Sequence, residues 1–158
     1  MKVLAGKWQV SISLYMAMGS PDHPVTSTDI TTNRNWIDDG RFLQDLTSGT
    51  IAGASYWRHG ILGYDNMASR YQWVTEDVVN SGMMIYEAAS GSGFAFPANM
   101  TGAFVDQGVL GEAYVGKTIK QRTEIIVKSA DEHIFNIYFT PPGEPERLAD
   151  HNVYTRLS

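Results

Sequence analysis

The 158-residue chain contains no cysteine. That removes disulfides, thiolate metal sites, iron–sulfur clusters and cysteine nucleophiles together, and it fits a reducing cytoplasm as the expected location. Long apolar runs are missing too. The start, Met1-Lys2-Val3-Leu4-Ala5-Gly6-Lys7-Trp8, turns polar too early for a signal peptide. No stretch approaches the ~20 apolar residues of a membrane helix, so no membrane partner is expected. Charge is sparse at 18%, with 12 Lys plus Arg against 17 Asp plus Glu and a net charge of −5. An acidic chain has no counterion-release drive toward phosphate backbones, so nucleic acid is not an expected partner. The four histidines, His23, His59, His133 and His151, stand apart, with no His-x-His or His-Glu-x-x-His spacing, so no metal site is expected. No other cofactor is expected; haem would require His59 or His133 to face inward as an axial ligand. Helical periodicity is absent as well. The nearest candidates, Glu76 to Val79 and Glu144 to Ala149, are short. Gly91-Ser92-Gly93 precedes Phe94-Ala95-Phe96, which reads as strand, so it is a turn and lacks the helix N-terminus of a phosphate cradle.

What the chain has is period two. Trp8, Val10, Ile12 and Leu14 alternate with Lys7, Gln9, Ser11 and Ser13, the pattern of a strand with one buried face. Val25 to Ile37 is rich in threonine and reads as a second strand. Asp39-Gly40, between Trp36-Ile37 and Phe42-Leu43, is the best hairpin signal. Further strands are expected at Arg41 to Ser48, Ser55 to Tyr64, Tyr71 to Thr75, Met83 to Ala89, Phe94 to Val105, Tyr114 to Val127, Ile134 to Thr140 and Asn152 to Leu157. Pro97 suggests a bulge or edge position within its stretch. These ~10 strands joined by short loops predict an all-β fold: one antiparallel up-and-down barrel spanning residues 1–158. At 43% hydrophobic, the composition is that of a globular domain with a core.

The chain ends favour a barrel over a sandwich. In a closed meander the first and last strands are neighbours, which would lay Arg156 over the Trp8 indole. A Gly-x-Trp (Gly6-Lys7-Trp8) with a distant Arg resembles the lipocalin and calycin barrels. A longer series of blocks runs in order: Leu4-Ala5-Gly6-Lys7-Trp8, Asn33-Arg34-Asn35-Trp36, Gly40-Arg41-Phe42-Leu43, Ser48-Gly49, Gly63-Tyr64-Asp65-Asn66, Tyr71, His133-Ile134-Phe135 and Tyr154-Thr155-Arg156. Together they resemble a bacterial family of uncharacterised lipocalin-like barrels, the domain of unknown function 1579 family. The resemblance implies the fold and carries no agreed activity. Lys7, and the proline-rich segment from Pro141 to His151, depart from the family pattern.

Four Trp and eight Tyr are generous for this length, and several fall in the central hairpins. Aromatics with polar tips suit either a packed core or the wall of a pocket for an amphipathic ligand. Parity on the second strand puts Arg34 on the face of Trp36; on the fourth, Tyr56 and Arg58 share a face opposite Trp57 and His59. An inward guanidinium is costly unless paired or ligand-bound. The expected pocket is lined by Trp36, Tyr56, Trp73 and Tyr86, with Arg34 as its polar anchor and Arg58 as a further candidate. A bulge would reverse any of these assignments. Glu132-His133 and Asp150-His151 are expected in turns or at the surface. Two functions follow: a binding protein for a hydrophobic or amphipathic small molecule, or an enzyme on the same barrel, such as a cyclase, isomerase or hydratase. No catalytic residue is identified. A third reading is a homodimer formed through exposed strand edges.

Overall fold

The computed structural model describes residues 1–158. Ten antiparallel strands form one closed barrel: β1 (Gly6–Leu14), β2 (Val25–Ile37), β3 (Phe42–Ile51), β4 (Ala54–Asp65), β5 (Arg70–Asp77), β6 (Met84–Glu87), β7 (Ala98–Val105), β8 (Thr118–Val127), β9 (Glu132–Thr140) and β10 (Arg147–Arg156). Each strand pairs with its sequence neighbours, and β1 pairs with β10 to close the ring. Closure leaves no free edge, so the dimer reading based on strand edges loses its footing. The only helical turns are 3-10 segments at Lys2–Leu4 and Glu112–Tyr114.

Alternation explains most of these elements. β1 buries Trp8, Val10, Ile12 and Leu14, and β5 buries Tyr71, Trp73 and Thr75. The expected hairpin after β2 is present, with Asp38, Asp39 and Gly40 at φ of 50°, 56° and 79°. Positive φ at three successive positions suits short polar residues and glycine. The three largest boundary differences from the sequence reading are these. β7 begins after Pro97, because proline ends the ladder there. Tyr114 belongs to a 3-10 turn before β8. β10 begins at Arg147, five residues before Asn152, and absorbs much of the segment from Glu144 to Ala149.

Up-and-down connectivity sorts the loops onto two ends. The β1–β2, β3–β4, β5–β6 and β7–β8 loops share one end. The other end collects the β2–β3, β4–β5, β6–β7 and β8–β9 loops with both chain termini. That second end is plugged. Trp8 is fully buried; its indole N–H donates to the Leu4 carbonyl at 3.0 Å, and its ring meets His133 edge-on at 4.4 Å. Arg156, the register partner of Trp8, lies 4.1 Å over the indole. Its guanidinium donates to the carbonyls of Ala5 at 2.8 Å, Val3 at 2.9 Å and Ala130 at 2.8 Å. One side chain therefore ties the N-terminal segment to the β8–β9 turn.

Candidate functional site

The open half of the barrel contains a cavity of about 270 Å³. Its walls are mostly apolar, with Ile12, Leu14, Ile51, Met84, Phe104 and Ile137 among them; the β1–β2, β5–β6 and β7–β8 loops contribute Met18, Val79 and Val109 at its mouth. Polar residues on its walls include Tyr56, Arg58, Gln121, Asp150 and Asn152. Trp73 and Tyr86 stack at 4.8 Å, and Phe135 meets Trp73 edge-on at 5.0 Å. Trp73 fits because β4 carries Gly60 beneath it: a Cβ there would stand 2.6 Å from the indole nitrogen. The Tyr86 hydroxyl donates to Gln121 Oε1. Its proton is held well above the usual phenol range, chiefly by burial, with Asp150 and Asp77 nearby. Burial does the same to Tyr56, against the opposing pull of Arg58.

Arg58 is buried and reaches from this cavity into a charged layer below it. Its Nη2 donates to the Tyr154 hydroxyl at 3.1 Å, to Thr47 Oγ1 at 3.3 Å and to both Asp45 oxygens at 3.4 Å. Its Nε has no partner. Asp45 also accepts from Arg34 Nε at 2.7 Å, Thr32 at 2.9 Å and Thr47 at 2.6 Å. Burial alone would raise its pKa. The two guanidiniums and the Thr47 hydroxyl outweigh burial and hold it well below the usual carboxylate range. Arg34 Nη1 lies 2.6 Å from His133 Nε2, which must therefore accept. Desolvation and the Arg34 charge push the His133 pKa down to about 2, so the ring is neutral.

The six residues predicted from sequence separate by height in the barrel. Tyr56, Arg58, Trp73 and Tyr86 line the cavity. Arg34 faces inward as its parity requires, but it sits in the layer beneath and is committed to Asp45 and His133. Trp36 is a correction. Its register partner Leu43 is buried, yet Trp36 is 37% exposed and lies outside the cavity. It stands one residue from the end of β2, beside the hairpin at the plugged end, far along the strand from the mouth. Glu87 faces out and pairs with Arg70 at 2.9 Å.

One member of each acid–histidine pair is corrected as well. His133 is buried against Trp8 and Tyr154, not in a turn. Asp150 lines the cavity because a bulge between Leu148 and Asp150 resets the parity of β10. After it, Asp150, Asn152 and Tyr154 share the inner face. His59 faces out, 3.4 Å from Glu76, and His133 is occupied by Arg34, so neither offers the cavity a haem ligand.

Asp150 Oδ1 is buried without a hydrogen-bond partner. Burial raises its pKa to about 7; Arg58 opposes this and Asp77 adds to it. The folded state thus holds a proton that the unfolded chain has released between about pH 4 and pH 7. Stability contributed by this protonated form falls as pH rises through that window. Asp150→Asn is therefore expected to raise the melting temperature, by an increment that grows from pH 4 to about pH 7 and then levels. Thermal melts in a pH series check this; a constant increment would mean that Asp150 titrates normally.

Fold and interior together define a closed ten-stranded antiparallel barrel with a ligand-sized cavity above a buried ionic layer. Over residues 1–156 the chain matches the family described as "Protein of unknown function (DUF1579)", and it belongs to that family. No curated protein matches it. Two solved structures are similar in outline. A redesigned β-barrel, mFAP1, bound to DFHBI, aligns with TM-score 0.46 at 15% identity, over 98% of this chain and 96% of that one. EF1p2_mFAP2b bound to DFHBI aligns with TM-score 0.48 at 13% identity, over 99% and 95%.

Proposed function

We propose that this protein is a binding protein that holds a hydrophobic or amphipathic small molecule inside the open half of the barrel. The observation that carries this reading is the cavity itself: about 270 Å³, apolar on most of its walls, and lined in part by Arg58, Asp150 and Asn152, each of which has a buried polar atom without a partner. Interiors are otherwise close-packed, and unpartnered buried polar atoms are uncommon in them. Trp73, Tyr86 and Tyr56 would provide flat contact area, and the Arg58 Nε a hydrogen bond. Arg34 would act indirectly, by holding Asp45 against Arg58.

Phenylnaphthylamine, a neutral fluorescent probe, is expected to brighten on binding and to saturate at one equivalent. Ile137→Trp, which fills the cavity from β9, should abolish binding while the circular dichroism stays that of a β protein. Ile61→Trp, on the outside of β4, should leave binding unchanged. Unaltered binding by Ile137→Trp would place the probe elsewhere and remove this reading.

One observation favours the enzyme alternative. A carboxyl held near pH 7 in an apolar cavity suits general acid–base work on an isomerase or hydratase substrate. That reading requires Asp150→Asn to eliminate turnover while leaving substrate binding in place.

A further inference from the structure

The inner face of β10 offers two hydrogen-bond acceptors with nothing to accept. Asp150 Oδ1 and Asn152 Oδ1 are both without partners, and both residues line the cavity. Asn152 is 1% exposed, and its orientation is fixed: its amide nitrogen donates to the Phe135 carbonyl at 3.1 Å, and a flipped amide would set two carbonyl oxygens together. The amide oxygen must therefore point the other way. The two residues are one pleat apart on the same face. The cavity's unpartnered donor is Arg58 Nε, on a guanidinium whose other end is already committed to Asp45, Thr47 and Tyr154.

Charge points the same way. Below and beside the cavity, the cations Arg34 and Arg58 share the carboxylate Asp45, Asp77 is the register partner of Arg58 without an ion pair to it, and His133 is neutral. Asp77 is occupied by the backbone N–H groups of Val79 and Asn80. Asp150 is left over. Across the pairing positions on β1 and β9 it meets only Leu14 and Ile137. The charged and titratable groups that act on it or share its cavity are Arg58 and Tyr56 of β4, Asp77 of β5 and Tyr86 of β6. None of them is a hydrogen-bond partner of Asp150. A cationic donor would satisfy both acceptors and neutralise the surplus carboxylate. An anion would add a second unmatched negative charge to a desolvated site.

We infer that the ligand is a small apolar amine whose ammonium group is received by Asp150 and Asn152. This rests on the binding reading above and specifies its ligand class. Because the free Asp150 carboxyl holds its proton up to about pH 7, the ammonium displaces that proton on binding below this pH. The proton leaves to buffer, and the amine stays charged throughout.

Calorimetric titration with one ring system bearing four groups tests the inference: naphthylmethylamine, naphthylmethanol, methylnaphthalene and naphthylacetate. The amine is expected to bind at least about tenfold more tightly than methylnaphthalene at pH 8. Its affinity should fall by about tenfold per pH unit below pH 7, with a heat that varies with the buffer's ionisation enthalpy. The methylnaphthalene affinity should stay flat with pH. Asp150→Asn should abolish both the amine preference and the pH slope, so that the amine binds no more tightly than methylnaphthalene at any pH. Equal affinity for amine and methylnaphthalene, or tighter binding of naphthylacetate, would overturn the amine assignment and leave the binding reading intact. Failure of all four to bind would overturn the binding reading and the amine assignment with it.

Discussion

Asp45→Asn is expected to destabilise the barrel by about 3–5 kcal/mol, the effect of removing one partner from a buried ion pair. Asp45 is the carboxylate that both Arg34 and Arg58 share, and all three side chains are less than 10% exposed. An amide of the same shape keeps one acceptor and loses the charge. Two guanidiniums would then stand in the interior without a counterion. Against the 5–15 kcal/mol typical of a domain, roughly a fifth or more of the stability disappears. The double variant Asp45→Asn/Arg34→Gln should recover part of the loss, since only Arg58 then remains unmatched. The wild-type pH profile should share this origin. Asp45 has a depressed folded-state pKa, so its stabilisation is complete above about pH 4 and fades as pH falls through the carboxylate range. His133 adds to the acid sensitivity. It stays neutral in the fold down to about pH 2, while the unfolded chain takes up a proton below about pH 6.5. Denaturant melts at pH 7 check the variant. A loss under about 1 kcal/mol would mean that water screens the layer, contrary to its burial.

Trp8→Ala should cost about 3–5 kcal/mol, the range for deleting a large buried aromatic. The indole is 0% exposed, donates to Leu4, meets His133 edge-on and lies beneath Arg156. Its removal opens a void at the plugged end and frees Arg156 from its cation–π contact. Trp36→Ala provides the contrast: at 37% exposure and beside a hairpin, it should cost well under half as much. Urea melts of the two variants would show comparable losses only if the plugged end were not the closed end.

Much of the fold was legible because period two survives in nearly every strand. The Trp8–Arg156 contact was legible because closure makes the first and last strands neighbours. The cavity lining was legible where parity was undisturbed: Tyr56, Arg58, Trp73 and Tyr86 all line it. Parity gives the face of a strand and not the height along it, which is why Arg34 lies one layer too deep and Trp36 at the wrong end. Asp45 carried a usable signal that the sequence reading missed. It alternates with Leu43 and Thr47, and its charge complements Arg34, its register partner on the neighbouring strand. Asp150 was hidden by the bulge between Leu148 and Asp150, which no local pattern announces behind a proline-rich turn. His133 read as a turn residue because β9 begins only one residue earlier, at Glu132.

The central claim is an internal ligand site, and methyl nuclear magnetic resonance tests it most directly. The inner isoleucines Ile12, Ile51 and Ile137 and the Met84 methyl line the cavity, while Ile61 and Ile85 border a shallow depression on the outer surface. In a titration with methylnaphthalene, saturable shifts are predicted at Ile12, Ile51, Met84 and Ile137, with Ile61 and Ile85 unmoved. Shifts confined to Ile61 and Ile85, or no saturable shift at any of the six, would contradict it.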